Sequence, residues 1–237
     1  MTPRDLVVPA PGEAPRAVEA VHEPDLVARY REMAHHFEPR AVDHLLRAFD
    51  IAGASVLLAV LLPVLAACAL AVLLLGGRPI LYRGTRVGRA GHVFSMYKFR
   101  TLRQGAEDRL GPYYGPELTR RTVAETSGVG HVLRALKLDE LPQLWNVLVG
   151  DMSMVGPRPI RPTFFAELCE TIPAYWQRLV VRPGMTGLAQ LRLSREMTWE
   201  EKLAHDLEYI ADRSPGLYLA VLSQTAALVA RELAGRG

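Results

Sequence analysis

The longest hydrophobic pattern in the chain is an uncharged apolar run at 51–75. A straight helix of these 25 residues would be about 38 Å long, which exceeds the roughly 30 Å of a hydrocarbon core. Buried helices of soluble proteins are rarely apolar on every face over this length. The run therefore predicts a membrane helix, which we place within 41–77.

Two features determine the course that we expect for this helix. Pro63 stands at the middle of the run, and a proline removes one helical hydrogen bond and bends the helix. Arg40 and Arg47 precede the run, and seven basic residues with no Asp or Glu lie within 76–106. Because basic residues mark the cytoplasmic side, both flanks are expected there. The pattern favours a re-entrant helix kinked at Pro63; the alternative is a Pro-kinked helix that spans the bilayer.

The chain on either side of this helix forms two further parts. Residues 1–40 are polar and rich in proline, which predicts a flexible N-terminal extension. They have no basic start, apolar core and cleavage site in the order of a secretory signal. Residues 78–237 are expected to form one globular domain.

The globular part predicts an α+β fold that is mainly helical and membrane-associated. Segments 80–82 and 93–97 flank a turn rich in Gly and Arg, a pattern typical of a β-hairpin. The polar segment 103–127 contains Gly and Pro and predicts a loop over a site or at the surface. Helices are expected at 142–149, at 163–181 with a bend at Pro173, at 199–212, and at 216–233 as a core or membrane-surface helix.

Composition and charge exclude several classes of function. A net charge of +3 is too small to indicate nucleic-acid binding. The two cysteines, Cys68 and Cys169, exclude a disulfide scaffold, and we expect no bridge between them. The sequence has no GxxxxGK[ST] phosphate loop, no GxSxG nucleophile motif and no HExxH zinc motif. Its seven histidines show no metal-ligand spacing.

An adjacent pair of carboxylates is the strongest chemical feature that remains. Asp139 and Glu140 precede Pro142, a residue typical of a first helical turn, so both lie at a helix N-terminus. Acidic residues at that place can simply complement the helix dipole. Alternatively, a carboxylate there can attack phosphorus if Mg²⁺ and basic side chains offset the repulsion between two anions.

Several basic side chains are candidates for that role, although each taken alone is more readily explained as a solvated surface cation. They are Lys98, Arg100, Arg134 and Arg158. Rigid Pro/Gly turns at 156–159 and 182–187 also present arginines. Such turns suit a phosphate or nucleotide clamp, and they equally suit a plain reversal of the chain.

Taken in order, these motifs resemble the bacterial sugar transferase family, the monotopic polyprenyl-phosphate hexose-1-phosphate transferases, or phosphoglycosyl transferases. The segment 138–159, which contains LDELPQ and GDMSMVGPRP, is the most specific part of the resemblance. The matching segments are 47–50 with the apolar helix after it, 86–89, 97–101, 138–143, 145–148, 150–159 and 182–190. The resemblance covers about 46–233 and is to the minimal catalytic form.

The resemblance implies a two-step transfer of a sugar 1-phosphate. Asp139 matches the family's nucleophile and would attack the sugar-linked phosphate of a nucleotide diphosphate sugar, usually a UDP-sugar, to release UMP. Polyprenyl phosphate, typically undecaprenyl phosphate, would then take the phosphosugar from the aspartyl-phosphosugar intermediate. Glu140 would complete the catalytic pair, and both carboxylates would hold Mg²⁺. The product would begin a lipid-linked glycan, such as exopolysaccharide, capsule, O-antigen or a glycoprotein glycan.

The resemblance also implies a location and a set of binding residues. The enzyme would sit in the bacterial inner membrane among its lipids, with the catalytic domain 78–237 on the cytoplasmic face. A homodimer is one expectation, because the family includes dimers. The implied substrate-binding residues are Lys98, Arg100, Arg134, Pro157, Arg158 and Gln190.

The chain departs from the family pattern at four places. Leu62 replaces the usual Ser before the kinking proline, Leu46 replaces a Lys, and Gly84 replaces a common Gln. Residues 192–194 replace the usual Asn-Gly-Arg, in a region associated with substrate handling. These departures leave the identity of the sugar open. A catalytically silent membrane scaffold of a glycan-assembly complex is the alternative function.

Overall fold

The computed structural model describes residues 40–110, 115–192 and 197–235. Of the extension predicted for 1–40, only Arg40 is among them, and the departures from the family pattern at 193–194 lie outside the described residues. The first element is helix α1, Ala41–Gly76, which covers the apolar run and continues through Pro63. Gly77 ends α1 with a φ of 75°, a conformation that favours glycine. A long apolar helix is thus present where the sequence predicts it, while its kink and re-entrant course stay predictions.

One side of α1 packs against the globular part and the other side is exposed. Ala54 belongs to a buried cluster with Met96 and Leu144, and Val72 belongs to another with Phe99. Several large apolar side chains face away from these clusters: Val56, Val60, Leu62, Leu70, Leu74 and Leu75. A soluble protein rarely exposes so long an apolar stripe, and such a stripe is typical of a helix that contacts a membrane.

The predicted hairpin is confirmed and lies directly on α1. Strands β1 (Leu81–Val87) and β2 (Val93–Phe99) are antiparallel, with a 3₁₀ turn between them. Phe94 and Met96 alternate with exposed Ser95, so one face of β2 contributes to the cluster around Ala54. The following residues, up to Arg100, therefore come close to the end of α1.

The segment predicted as a loop at 103–127 is largely helical, and this prediction was wrong. It contains helices α2 (Ala106–Leu110) and α3 (Gly115–Glu125), and α4 (Gly128–Ala135) follows. Gly115 and Pro116 open α3, because proline is tolerated in a first turn, where its missing N–H is not needed. Ser127 caps α4 by accepting a hydrogen bond from the N–H of Gly130 over 3.0 Å.

The remaining elements follow the sequence more closely. They are helix α5 (Gln143–Val149), strand β3 (Ser153–Val155), helix α6 (Pro162–Thr171), a 3₁₀ turn (Tyr175–Val180), strand β4 (Gly184–Thr186), and helices α7 (Leu188–Arg192), α8 (Trp199–Asp212) and α9 (Pro215–Ala234). The predicted bent helix at 163–181 instead ends at Thr171. Ile172 is extended because it precedes Pro173, and the chain resumes as the 3₁₀ turn.

A short parallel pairing of β3 with β4 was not predicted. Ser153 lies opposite Gly184, and Val155 lies opposite Thr186. A Cβ atom at Gly184 would stand 2.0 Å from the backbone nitrogen of Gly156, so only glycine permits this approach. The pairing brings the 156–159 turn and the 182–187 turn together.

Asp50 fastens the beginning of the apolar run to this region. Its side chain is buried, and Oδ1 accepts hydrogen bonds from Ser153 Oγ (2.8 Å), the N–H of Met154 (2.8 Å) and Tyr218 Oη (2.9 Å). Tyr218 belongs to α9, the second helix that is long and apolar enough to cross a membrane. One carboxylate therefore joins α1, β3 and α9.

We expect Asp50→Ala to lower the free energy of unfolding by roughly 3 kcal/mol, because it leaves three buried donors without an acceptor. Tyr218→Phe removes only one of the donors and should cost about 1 kcal/mol. Denaturant unfolding of the detergent-solubilised chain measures both. Equal costs for the two variants would contradict the shared role of this carboxylate.

Candidate active site

The two carboxylates lie on a 3₁₀ turn, Leu138–Glu140, that leads into α5. Lys137, before the turn, has the left-handed φ of 57°, and Pro142 is the N-cap of α5. Asp139 is buried, whereas the side chain of Glu140 is 27% exposed. The turn places two acidic side chains side by side in different surroundings.

Two cations hold Glu140. Lys98 Nζ, from β2, lies 2.5 Å from Glu140 Oε1, and Arg158 Nη2 lies 3.3 Å from the same atom. Burial alone would raise the pKa of Glu140, but Arg158 and Lys98 outweigh it and bring that pKa to about 2. Glu140 is therefore an anion throughout the physiological range.

Asp139 is shifted in the opposite direction. Burial and the neighbouring charge of Glu140 raise its pKa, while Lys98 and Arg134 partly counteract them. Within the described part of the chain, no other side chain donates a hydrogen bond to its carboxylate. A carboxylate of raised basicity without a fixed side-chain partner is well suited to act as a nucleophile.

Arg134 completes the basic surroundings of the pair. It comes from α4, and its Nε donates to Thr101 Oγ1 over 2.8 Å. Burial lowers the pKa of Arg134, whereas Asp139 and Glu140 raise it. The structure thus brings together Asp139, Glu140, Lys98, Arg134 and Arg158, which come from three of the sequence motifs and, in the case of Arg134, from α4.

The structure places Arg100 elsewhere. Its guanidinium is buried and donates to the carbonyls of Gly76, Gly77 (2.9 Å) and Arg78 (3.0 Å). These are the free carbonyls at the C-terminal end of α1, which a cation there satisfies and stabilises. Arg100 therefore holds the end of the apolar helix and is not brought to the carboxylates.

Pro157 lies in the 156–159 turn, and Gln190 lies in α7, which follows the 182–187 turn. The carbonyl of Pro157 accepts a hydrogen bond from the N–H of Gly184 over 2.9 Å. Both amide atoms of Gln190 are buried without a partner in the described residues, and Oε1 lies against Gly187. A buried amide without a hydrogen-bond partner is energetically unfavourable. A polar group that entered this region would give the Gln190 amide such a partner. Their substrate-binding roles stay predictions.

A buried ion pair supports the backbone of Arg158. Arg178 Nη2 donates to Asp206 Oδ2 over 2.7 Å and to the carbonyl of Arg158 over 2.9 Å. Arg178 Nη1 also donates to Tyr175 Oη over 3.0 Å. The exposed guanidinium of Arg158 therefore extends from a fixed backbone.

Asn146 is a residue of the site region that the sequence reasoning missed. It is fully buried in α5 and binds β2 on both sides: Oδ1 accepts from the N–H of Tyr97 (3.0 Å), and Nδ2 donates to the carbonyl of Ser95 (2.8 Å). These bonds fix Lys98, next to Tyr97, against Glu140. A single Asn among the apolar positions of 144–148 is the signal that could have identified it.

The donor set fits the predicted Mg²⁺. This ion binds one or two protein carboxylates, and substrate phosphates and water complete its six oxygen ligands. Asp139 supplies a carboxylate without a side-chain partner, and Oε2 of Glu140 is the oxygen that neither Lys98 nor Arg158 contacts. No group of three or more His, Cys, Asp or Glu is placed to hold a metal among the described residues, so substrate oxygens would supply the other ligands.

We expect Arg134→Gln to raise the pKa of Asp139 further, because the change removes a positive charge that stabilises the carboxylate. The ¹³C shift of the Asp139 carboxyl, followed across pH, measures this pKa. Arg192→Gln, which removes an arginine paired with Glu208, is the matched control and should leave the titration unchanged. A fall of the Asp139 pKa in Arg134→Gln would contradict the arrangement.

Known proteins with similar sequences were compared with the chain. It is 40% identical over 177 residues to the UDP-glucose:undecaprenyl-phosphate glucose-1-phosphate transferase of Caulobacter vibrioides, covering 72% of this chain and 64% of that protein. It is 34% identical over 182 residues to the UDP-N-acetylgalactosamine-undecaprenyl-phosphate N-acetylgalactosaminephosphotransferase of Aeromonas hydrophila, covering 76% and 42% respectively. The chain thus spans only part of these longer relatives.

A shorter relative is similar over most of its own length. The exopolysaccharide production protein PSS of Rhizobium leguminosarum bv. phaseoli is 38% identical over 183 residues, which are 71% of this chain and 86% of that protein. The family model described as bacterial sugar transferase matches residues 42–232, from the second residue of α1 almost to the end of α9. The match includes the carboxylate pair and all the cations around it, and the chain belongs to the bacterial sugar transferase family.

Proposed function

We propose that the protein transfers a sugar 1-phosphate from a UDP-sugar to polyprenyl phosphate, typically undecaprenyl phosphate, and releases UMP. The observation that carries this proposal is the pair of adjacent carboxylates with opposite pKa shifts, Asp139 raised and Glu140 lowered, under three cations. Phosphoryl transfer needs a nucleophile and positive charge at one place. Asp139 would be the nucleophile, and the three cations around the pair supply the positive charge. The names of the relatives support the two substrates.

In the first step, an Asp139 carboxylate oxygen attacks the phosphorus that is bonded to the sugar. A new O–P bond forms, the P–O bond to the second phosphate breaks, and its electron pair leaves on UMP. Lys98 and Arg134 lie close enough to stabilise the charge that gathers on the transferred phosphoryl oxygens. The step needs no proton, because both the attacking and the leaving groups are anions.

In the second step, a phosphate oxygen of the lipid acceptor attacks the same phosphorus. The acyl-phosphate O–P bond breaks, the carboxylate of Asp139 is restored, and polyprenyl diphosphate-sugar is released. Two in-line displacements return the enzyme to its starting state. Glu140, held as an anion by Lys98 and Arg158, stays ionised through the cycle.

Mg²⁺, held by Asp139 and Glu140, would neutralise phosphate charge when bound. The chain's own residues supply the rest of the arrangement. Arg158 stands at the rim with 56% of its side chain exposed, in a position to meet a nucleotide phosphate. Behind it lies a shallow crevice that Gly88, Pro157 and Arg178 help to line.

The contacts of α1 support a re-entrant course, and the basic residues on both flanks favour the cytoplasmic face of the inner membrane. Near its start, Arg47 donates to the carbonyls of Val147 (2.5 Å) and Leu148 (2.8 Å), and its end is held by Arg100. Both ends of the helix therefore contact the same globular domain. A helix that spanned the bilayer would put one of these polar contacts on the opposite side.

Asp139→Asn should abolish UMP release from UDP-sugars with polyprenyl phosphate and Mg²⁺, because an amide is a far poorer nucleophile. Its thermal unfolding should stay close to that of the unchanged chain. Thr198→Ala, a helix-cap change in α8, serves as a control for general destabilisation. Activity of the Asn variant near that of the unchanged chain would remove Asp139 as nucleophile.

Absence of UMP from every UDP-sugar tested with the unchanged, folded chain would instead favour the silent scaffold. Mass spectrometry of the lipid-linked product identifies the sugar when activity is present. UMP release shows whether the reaction occurs, and mass spectrometry of the product shows which sugar is transferred.

The course of α1 is tested by cysteine labelling. In a chain with Cys68 and Cys169 replaced, single cysteines at positions 30 and 120 should react with an impermeant thiol reagent from the same side of sealed vesicles. Labelling from opposite sides would show a spanning helix. Pro63→Ala should favour the spanning form, since it restores a helical hydrogen bond at the expected kink.

A further inference from the structure

A second basic crevice lies away from the carboxylate pair. It has about 370 Å³ of space, including the part that opens to solvent, and lies between the start of α1, the hairpin turn and the β3–β4 pairing. Neither Asp139 nor Glu140 lines it. Its charged lining residues are Asp43, Arg47, Asp50, Arg89, Arg182 and Arg213.

The charges of this crevice do not balance. Both carboxylates are already engaged: Asp43 accepts from Arg213 over 2.6 and 3.0 Å, and Asp50 accepts the three hydrogen bonds described above. Arg47 donates to two carbonyls of α5, and Arg182 Nε donates to the carbonyl of Gly150 over 2.9 Å. Within the described residues, the guanidinium of Arg89 makes no hydrogen bond, although the Arg89 carbonyl accepts one from the N–H of His92.

Arg47, Arg89 and Arg182 therefore outnumber the one carboxylate that has no arginine bound to it, that of Asp50, and among the described residues none of the three forms an ion pair with it. Burial lowers the pKa of Arg182, the positive charges of Arg47 and Arg89 lower it further, and Asp50 and Asp43 counteract this only in part, so the three guanidinium groups affect one another. Such repulsion is unfavourable unless an anion offsets it. The planar fork of a guanidinium matches the oxygens of a phosphate group.

The position of the crevice indicates where the phosphate comes from. Arg47 precedes the apolar run of α1 by one helical turn, and its neighbours on that helix, Leu45 and Ile51, keep 46% and 43% of their exposure. The crevice thus lies where an apolar helix meets the headgroup layer of a membrane. Cations at that level attract anionic lipid headgroups.

We propose that Arg47, Arg89 and Arg182 form a phosphate-binding site, separate from the carboxylate pair, that takes the headgroup phosphate of an anionic phospholipid. Free phosphate shares this chemistry and is distinguished by experiment. The site would hold the start of α1 at the membrane surface. It does not depend on the transfer reaction, because none of its residues belongs to the carboxylate pair or its cations.

The test uses the full chain in a neutral detergent and follows its thermal unfolding. Three probes are titrated: short-chain phosphatidylglycerol, short-chain phosphatidylcholine and inorganic phosphate. Arg89→Gln is the informative variant, because Arg89 gives no hydrogen bond to the fold. Lys202→Gln, whose ammonium lies over the Trp199 ring on α8, is the control with the same change of charge.

Phosphatidylglycerol should stabilise the unchanged chain and the Lys202→Gln control equally, and should bind Arg89→Gln about tenfold more weakly. Phosphatidylcholine and inorganic phosphate should have much smaller effects. Stabilisation by inorganic phosphate equal to that by phosphatidylglycerol would overturn the lipid assignment and leave a free-phosphate site.

Equal responses of Arg89→Gln and the unchanged chain would overturn the site, and the arginines would then only cap the ends of α5 and its following turn. Without any probe, Arg89→Gln should unfold at a temperature close to that of the unchanged chain, because its guanidinium makes no hydrogen bond and its repulsion from Arg182 is offset by its attraction to Asp43. If this variant fails to fold, Arg182→Gln takes its place in the same titrations, with the same outcomes.

Discussion

The attachment of α1 at both ends is the constraint on which the rest of the structure depends. Near the start of the helix, Asp50 gathers three donors from β3 and α9, and at the other end Arg100 satisfies the last carbonyls. Between them, the face with Ala54 and Val72 packs under the hairpin and α5. A polar catalytic domain is thereby fixed along an apolar helix, so the carboxylate pair has a defined place relative to the membrane.

This scaffold gives the neighbouring residues Asp139 and Glu140 different electrostatic surroundings. Asn146 joins α5 to β2, so Lys98 meets Glu140 and not Asp139 at hydrogen-bond distance. The cations lower the pKa of Glu140. Burial and the negative charge of Glu140 raise the pKa of Asp139. The same physical rule separates the roles of paired carboxylates in other acid–base and nucleophilic sites. In the proposed mechanism, this difference leaves Asp139 to attack phosphorus and keeps Glu140 ionised beside its cations.

Local patterns in the sequence account for the apolar helix, the hairpin, α5, α8 and the motif that carries the carboxylates. Contacts between distant segments account for what could not be predicted. The role of Arg100 depends on where α1 ends in space, 24 residues earlier. The β3–β4 strands are three residues each, too short for a periodic signal. Gly115 and Pro116 lie in the first turn of α3, but in a sequence the same two residue types are also typical of a loop.

The central claim is that the carboxylate of Asp139 becomes covalently bonded to a phosphosugar. The most direct measurement is intact-protein and peptide mass spectrometry of the chain after incubation with a UDP-sugar and Mg²⁺ but no lipid acceptor. The account predicts a mass increase of one sugar phosphate, located on Asp139 and removed when polyprenyl phosphate is added. Formation of lipid product while Asp139 stays unmodified at every time of quenching would contradict it.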